Sequence, residues 1–298
     1  RNPAAARRDK RGVAFYPHII YNDTVGLPRP VLPGAYRHIM PAVPPVKEAF
    51  HMELIFLWLV LASFAGGFLQ AAIGFGYATV GMAFFPLFLP GIPVSSTVCA
   101  VLSLVASSTM FLQYRRDARP KHVLWLIAAY FVVMPFAAVW SARAPKLVLS
   151  VIFGLFLALV SLYYLLTADK TRISATPGTG IATGALAGLF GGLFSVSAPP
   201  AALYCLSTLE TKEAYVGTLQ FFFLTTNLYS VGVRAVNGQV TGQVLLWSLV
   251  AAGGLLLGLW LGRVALYKRA DLARVKSWVF VFILCMGVWT IASSLLGR

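Results

Sequence analysis

The residues best suited to bind a ligand are small or polar and lie at two breaks in apolar sequence. The first break is Gly74-Phe75-Gly76, and the second extends from Gly191-Gly192 through Ser195 and Ser197 to Pro199. A second proline follows Pro199, and adjacent prolines remove backbone donors and obstruct the preceding helical turn. In hydrocarbon such breaks persist only where protein or a watery cavity satisfies the backbone. Both breaks are therefore candidate parts of a binding site.

A helix that begins at a break has the chemistry to bind an anion. Its first N–H groups have no partner within the helix and carry a partial positive charge. Two such ends that approach from opposite leaflets would hold a small anion near the middle of the bilayer. Further donors follow in the next apolar span of each half, at Ser107 and Ser108 and at Thr226 and Asn227. The alternative for each hydroxyl is a hydrogen bond to its own helix or to a neighbouring one.

The apolar spans lack the titratable groups that enzymes use. Acidic residues and histidines lie in loops or at span ends, as Glu53 and His122 do. The sequence contains no metalloprotease motif, no glycine-rich phosphate loop and no Ser/His/Asp set. We therefore predict a protein that is not an enzyme, with no catalytic residue, no metal site and no cofactor.

Composition places these residues in a membrane protein. Of 298 residues, 59% are hydrophobic and 11% are charged, whereas soluble domains average about 25% charged residues. The net charge of +15 is concentrated in the N-terminal region, in loops and at span ends, which is typical of membrane orientation and argues against nucleic-acid binding. We predict an all-α polytopic membrane protein. Its apolar spans are 53–72 with 76–90, 94–114, 122–142, 146–166, 179–194 with 198–208, 213–236, 244–266 and 275–296.

The first 51 residues differ from the rest of the chain. They contain eight prolines, carry a basic excess and show no helical periodicity. One interpretation is a disordered Pro-rich basic tail. The other, which we favour, is that residues 1–51 lie upstream of the true start at Met52.

The apolar spans form two related halves, 53–170 and 177–298. Each half opens with a helix rich in small residues that breaks and resumes as a short apolar piece, and three more spans follow. Gly74-Phe75-Gly76 falls opposite Ser195-Val196-Ser197. Weak internal duplication of this kind is typical of transporters.

The distribution of Lys and Arg predicts how the halves are oriented. If each opening unit turns back or crosses twice, twelve basic residues lie on one face and four, including Arg234, on the other. If each unit crosses once, the split is eight to eight, which does not satisfy the positive-inside rule. We therefore predict two inverted repeats, each a broken or re-entrant hairpin plus three transmembrane helices. Both ends of the membrane domain would lie outside.

Two segments resemble the TauE/SafE sulfite exporter family. They are GGFLQAAIGFGYATVGMAFFPLF in the first half and GLFGGLFSVSAPPAALY in the second, and the resemblance covers residues 53–298. It implies a transporter of sulfite or organosulfur anions in the cytoplasmic membrane of a bacterium, with a small anion and the lipid bilayer as partners. The family is richer in glycine before the second motif's proline, where this chain has Ser195, Ser197 and Ala198.

The breaks and the resemblance together predict a secondary transporter that exports a small anion. The alternative is a non-transporting assembly or sensor protein of the membrane, in which the breaks serve packing alone. Oligomeric state is left open. The candidate substrate-binding residues are Gly74, Phe75, Gly76, Ser107, Ser108, Gly191, Gly192, Ser195, Ser197, Pro199, Thr226 and Asn227.

Overall fold

A computed structural model describes residues 46–167 and 174–267, together with 281, 283–285, 287–292 and 294. The regular elements in these ranges are helices, with no strand. Short 3-10 turns, at Phe85–Leu87 and Pro120–Val123, precede α3 and α4. The α-helices are α1 (Val46–Ile73), α2 (Tyr77–Phe84), α3 (Gly91–Tyr114), α4 (Leu124–Arg143), α5 (Lys146–Thr167), α6 (Pro177–Phe194), α7 (Ala198–Thr208), α8 (Lys212–Val236) and α9 (Gly242–Tyr267).

The helical, multi-pass fold predicted from the apolar spans is confirmed. Five helical segments of the described chain are long and apolar enough to cross a membrane. Between 33% and 61% of each tested window is buried inside the protein, so the remaining apolar surface is available to lipid. These segments are Leu54–Ile73, Gly91–Tyr114, Pro120–Arg143, Lys146–Tyr163 and Gly242–Val264.

The helix breaks lie where glycine, serine and proline predict them. At the first break, Gly74 and Gly76 adopt φ of 86° and 117°, values that glycine reaches without a steric penalty. At the second, Ser195 has φ of 58° and is the only non-glycine residue with positive φ in the described ranges. Pro199 lies in the first turn of α7, where a missing N–H removes no helical hydrogen bond. Each break therefore ends one helix and starts another.

The helices of the two halves pack on one another in a reciprocal pattern. The opening helix α1 lies against α9, and the opening helix of the second half, α6, lies against α4. The third helices, α3 and α8, pack together between them. The first residues of α2 and α7 lie in the same part of the molecule, because their N-cap residues Gly76 and Ser197 line one cavity.

Glycine ridges allow the two main helix pairs to approach closely. A Cβ atom on Gly192 of α6 would lie 2.5 Å from the Met134 carbonyl oxygen of α4. A Cβ atom on Gly262 of α9 would lie 2.5 Å from the Phe68 carbonyl oxygen of α1. Glycines recur every four residues along both helices, and the absence of a side chain at these contacts lets the helix backbones approach closely.

The start of α1 differs from the prediction. The helix begins at Val46, so residues 46–51, which we assigned to the tail, are helical. After Pro45 the next proline is Pro86, and no residue of this stretch blocks helix propagation before Gly74. The tail prediction otherwise falls on residues 1–45, outside the described residues. The inverted orientation of the repeats stays a prediction.

Candidate functional site

A small polar cavity lies between the two helix breaks. The space that the centres of water-sized spheres can occupy in it is about 20 Å³, and one water molecule needs about 10–15 Å³ on that measure. The cavity is therefore the size of one or two waters. It is lined by Gln70, Gly76, Ala78, Ser103, Ser195, Ser197, Ala198, Phe223 and Asn227.

Two helix N-termini border this cavity. Gly76 is the N-cap residue of α2 and Ser197 is the N-cap residue of α7, and neither makes a side-chain capping hydrogen bond. The first N–H groups of a helix carry a partial positive charge. The cavity therefore receives the positive ends of two helices, one from each half of the chain.

The polar side chains that line the cavity add hydrogen-bond donors. The Ser103 hydroxyl is buried without a hydrogen-bond partner, although the large majority of buried side-chain polar atoms in proteins have one. The Asn227 amide offers two N–H donors. Gln70 accepts a hydrogen bond from the Tyr77 N–H through Oε1 at 3.2 Å, which leaves its amide nitrogen on the opposite side of the group. The unpartnered Ser103 hydroxyl indicates that a water or a ligand binds beside it.

The first break is held by a side chain from the other half. Gln220 of α8 is fully buried and donates from Nε2 to the Gly74 carbonyl oxygen at 2.6 Å. This hydrogen bond satisfies a carbonyl that the break removes from the α1 ladder. It also links the first break to the third helix of the second half.

The second break is held by an arginine. Arg234 of α8 has no exposed surface, and its Nη2 donates to the Gly192 carbonyl oxygen at 2.8 Å and to Ser195 Oγ at 3.2 Å. The Ser195 hydroxyl in turn donates to the Ser96 carbonyl oxygen at 2.6 Å. Arg234 is thus one hydroxyl away from the cavity that Ser195 lines.

The other amino group of Arg234 also binds neutral oxygen atoms. Nη1 donates to Ser96 Oγ at 3.0 Å, to Thr97 Oγ1 at 3.3 Å and to Gln239 Oε1 at 3.1 Å. The hydroxyls of Ser96 and Thr97 give their own protons to the Pro93 carbonyl oxygen, so their lone pairs are free to accept from Arg234. Arg234 Nε is buried without a partner.

Some predicted site residues do not meet the cavity. The hydroxyls of Ser107, Ser108 and Thr226 donate to carbonyl oxygens of their own helices, at 2.8, 2.7 and 2.7 Å respectively. This is the alternative that the sequence left open for them. Pro199 lines a separate apolar cavity with residues of α5 and α6. Of the twelve candidates, Gly76, Ser195, Ser197 and Asn227 line the polar cavity.

The remaining candidates lie beside the cavity and shape the breaks. Gly74 and the buried Phe75 form the first break next to Gly76. A Cβ atom on Gly191 would lie 2.7 Å from the Tyr130 hydroxyl, so this glycine allows α6 to pack on α4. The carbonyl oxygens of Gly191 and Gly192 accept from Arg234.

Sequence reasoning missed Arg234, Gln70 and Ser103. It counted Arg234 as an orientation charge on the outer face, which is wrong because the side chain is fully buried. A usable signal was present, since Thr226, Ser230 and Arg234 recur every four residues and therefore share one face of α8. A positive charge that ends a polar face within an apolar helix favours an interior position over a lipid-surface one.

Comparison with known proteins identifies the family. A family model described as sulfite exporter TauE/SafE matches residues 59–290, a range that includes both breaks and Arg234. No curated protein and no solved structure matches the chain.

Proposed function

Because the chain belongs to the TauE/SafE sulfite exporter family, whose members are membrane transporters, we propose that it exports sulfite or an organosulfonate. The anion would pass through the polar cavity between the two breaks. The observation that carries this proposal is the cavity itself, which the N-termini of α2 and α7 border and which no carboxylate lines. We propose the cytoplasmic membrane of a bacterium as its location.

The lining groups have the chemistry that an oxyanion requires. Sulfite and sulfonate oxygens accept several hydrogen bonds and carry negative charge, so a site with donors and without acidic groups favours them. Ser103, Ser197 and Asn227 offer hydroxyl and amide donors around the cavity. Gly76 has no side chain, so an anion can approach the first turn of α2 closely.

The small size of the cavity fits a transporter in a closed state, in which the binding site is too small for its substrate. A space of about 20 Å³ holds one or two waters, and sulfite has four non-hydrogen atoms. Binding therefore requires the walls to separate. A movement of one half against the other, about the breaks at Gly74–Gly76 and Ser195–Ser197, would widen the cavity and open it to one side at a time.

The membrane potential is a sufficient driving force for export. An inside-negative potential favours the exit of an anion by about 2.3 kcal/mol per charge per 100 mV. The acidic residues whose side chains the structure describes are Asp117, Glu210 and Glu213, and all three are exposed. Potential-driven movement needs no buried proton carrier, so it fits the groups that this site contains.

The test is sulfite flux in proteoliposomes that contain the full chain, with and without an imposed potential. We expect potential-dependent flux in the wild type and its loss in Ser197→Trp, because the indole would fill the cavity. The matched control is Leu249→Trp, which places the same side chain at an outer position of α9 that is 74% exposed. Size-exclusion profiles and melting temperatures establish that both variants fold.

Three outcomes separate the alternatives. If folded Ser197→Trp transports sulfite as fast as the wild type, the anion does not pass through the cavity. Flux of a sulfonate without flux of sulfite would keep the route and change the substrate. An absence of flux for both anions would contradict the proposal and favour a membrane assembly or sensor protein.

A further inference from the structure

We infer that the buried positive charge of Arg234 favours the binding of anions in the cavity. Ser195 lies between Arg234 and the cavity. This inference deepens the proposed function and rests on it. Arg234 does not line the cavity. It acts on a ligand there by electrostatic attraction and by holding Ser195 in place.

The charge of Arg234 has no negative partner. Every hydrogen bond of its two amino groups ends on a hydroxyl, amide or backbone oxygen. Among the side chains that the structure describes, the acidic ones are exposed and none forms an ion pair with it. A fully buried guanidinium without a counter-ion is costly. An anion in the cavity would supply the missing negative charge.

A structural role alone does not require a cation at this position. At the first break, the neutral Gln220 holds the Gly74 carbonyl oxygen with a hydrogen bond of 2.6 Å. At the second break, the chain uses Arg234 to hold the Gly192 carbonyl oxygen at 2.8 Å. At each break a side chain of α8 thus satisfies a backbone carbonyl oxygen, but the first side chain is neutral and the second is positively charged. The guanidinium adds electrostatic attraction for an anion.

The end of α6 offsets part of the charge but does not remove it. The carbonyl oxygens of Gly191 and Gly192 belong to the last turn of α6, and a helix C-terminus carries about half a negative charge. The N-terminus of α7 follows directly and adds a smaller positive charge, because Pro199 and Pro200 lack two of its first N–H groups. The balance at the second break, with the guanidinium included, is therefore positive.

Ser195 fixes the distance between the charge and the cavity. Its single proton is given to the Ser96 carbonyl oxygen, while its oxygen accepts from Arg234 Nη2. In this arrangement the hydroxyl has no proton left for a ligand. Ser195 therefore separates Arg234 from a bound anion by one oxygen atom, close enough for a strong interaction at the low dielectric of a buried site.

The decisive experiment neutralises Arg234 without moving it. Gln239→Glu replaces the amide oxygen that accepts from Nη1 at 3.1 Å by a carboxylate oxygen in the same place. The hydrogen bond is kept and strengthened, and the positive charge gains a partner. Gln243→Glu, at an exposed position of α9, is the matched control for the added charge. Two further variants, Arg234→Lys and Arg234→Gln, keep and remove the cation itself.

The readouts are the KM and kcat of sulfite flux, and the Kd of sulfite by calorimetry on purified protein. We expect Gln239→Glu and Arg234→Gln to raise KM and Kd by about tenfold, with a smaller change in kcat. Arg234→Lys is expected to retain more of the affinity than Arg234→Gln. The Gln243→Glu control is expected to match the wild type.

Failure of this inference is distinguishable from failure of the proposed function. If the wild type transports sulfite and folded Gln239→Glu has the same KM and Kd, the inference about the charge is wrong and the proposed function stands. Equal loss in Arg234→Lys and Arg234→Gln, together with normal Gln239→Glu, would show that Arg234 serves structure only. An absence of sulfite and sulfonate flux in the wild type would overturn the proposed function and this inference with it.

Discussion

Arg234 Nη2 lies 3.2 Å from Ser195 Oγ, and this contact joins the only buried arginine of the described chain to the wall of its polar cavity. The two residues come from different elements, α8 and the break between α6 and α7. Ser195 is held from both sides, because it also donates to the Ser96 carbonyl oxygen of α3. Three segments of the chain therefore meet at one hydroxyl.

Substitution of Ser195 separates its hydrogen bonds from its backbone conformation. Ser195→Ala removes the hydroxyl but keeps a side chain at φ of 58°, whereas Ser195→Gly removes both. We expect both variants to be less stable than the wild type. Ser195→Ala should be the worse of the two by about 1 kcal/mol, because a left-handed conformation costs about that much for residues with a Cβ atom. Thermal melting in detergent checks the order, and a more stable alanine variant would contradict it.

The glycines of α9 differ in what surrounds them, and alanine substitution should reveal this. Gly262→Ala would place a Cβ atom 2.5 Å from the Phe68 carbonyl oxygen, whereas Gly253 has nothing within 4 Å of that position. We expect Gly262→Ala to lower stability by about 1–3 kcal/mol. Gly253→Ala should raise it by up to about 1 kcal/mol, because alanine is the better helix former. Melting temperatures of the two variants provide the comparison, and equal shifts would argue against the α1–α9 contact.

The hydrogen bond between Gln220 and the first break should support both stability and transport. Gln220→Leu removes the donor to the Gly74 carbonyl oxygen and leaves that oxygen buried. We expect a loss of about 1–3 kcal/mol of stability and slower anion flux. Gln243→Leu, at an exposed position, is the matched control for the loss of an amide. If Gln220→Leu melts and transports like the wild type, this hydrogen bond supports neither stability nor transport.

Neighbouring residues of α8 should differ in their effect on flux. Asn227 lines the cavity, whereas the Thr226 hydroxyl donates to the Phe222 carbonyl oxygen of its own helix at 2.7 Å. We expect Asn227→Leu to reduce sulfite flux by tenfold or more, on the order of one lost charged hydrogen bond. Thr226→Val, which keeps the shape of the side chain, should reduce it less. The reverse order would move the binding site away from the cavity.

Sequence alone located the features that depend on short stretches of chain. The apolar spans predicted the helices, since a segment of bilayer length must satisfy its backbone internally. The breaks at Gly74–Gly76 and Ser195–Ser197 were predicted because glycine and proline set the backbone conformation wherever they occur. The resemblance carried by the same segments predicted the family, which the match over residues 59–290 confirms.

Tertiary structure decided which polar groups meet. The sequence predicted both Ser107 and Asn227 as substrate-binding residues. In the structure the Ser107 hydroxyl donates to its own helix, whereas Asn227 lines the cavity. The sequence placed Arg234 among the surface charges. Its burial follows from the packing of α8 against α3 and from its hydrogen bond to the Gly192 carbonyl oxygen at the end of α6. A residue's local sequence determines whether it is helical, but its partners lie on helices distant in sequence. Burial and hydrogen bonding at this site are therefore properties of the packed molecule.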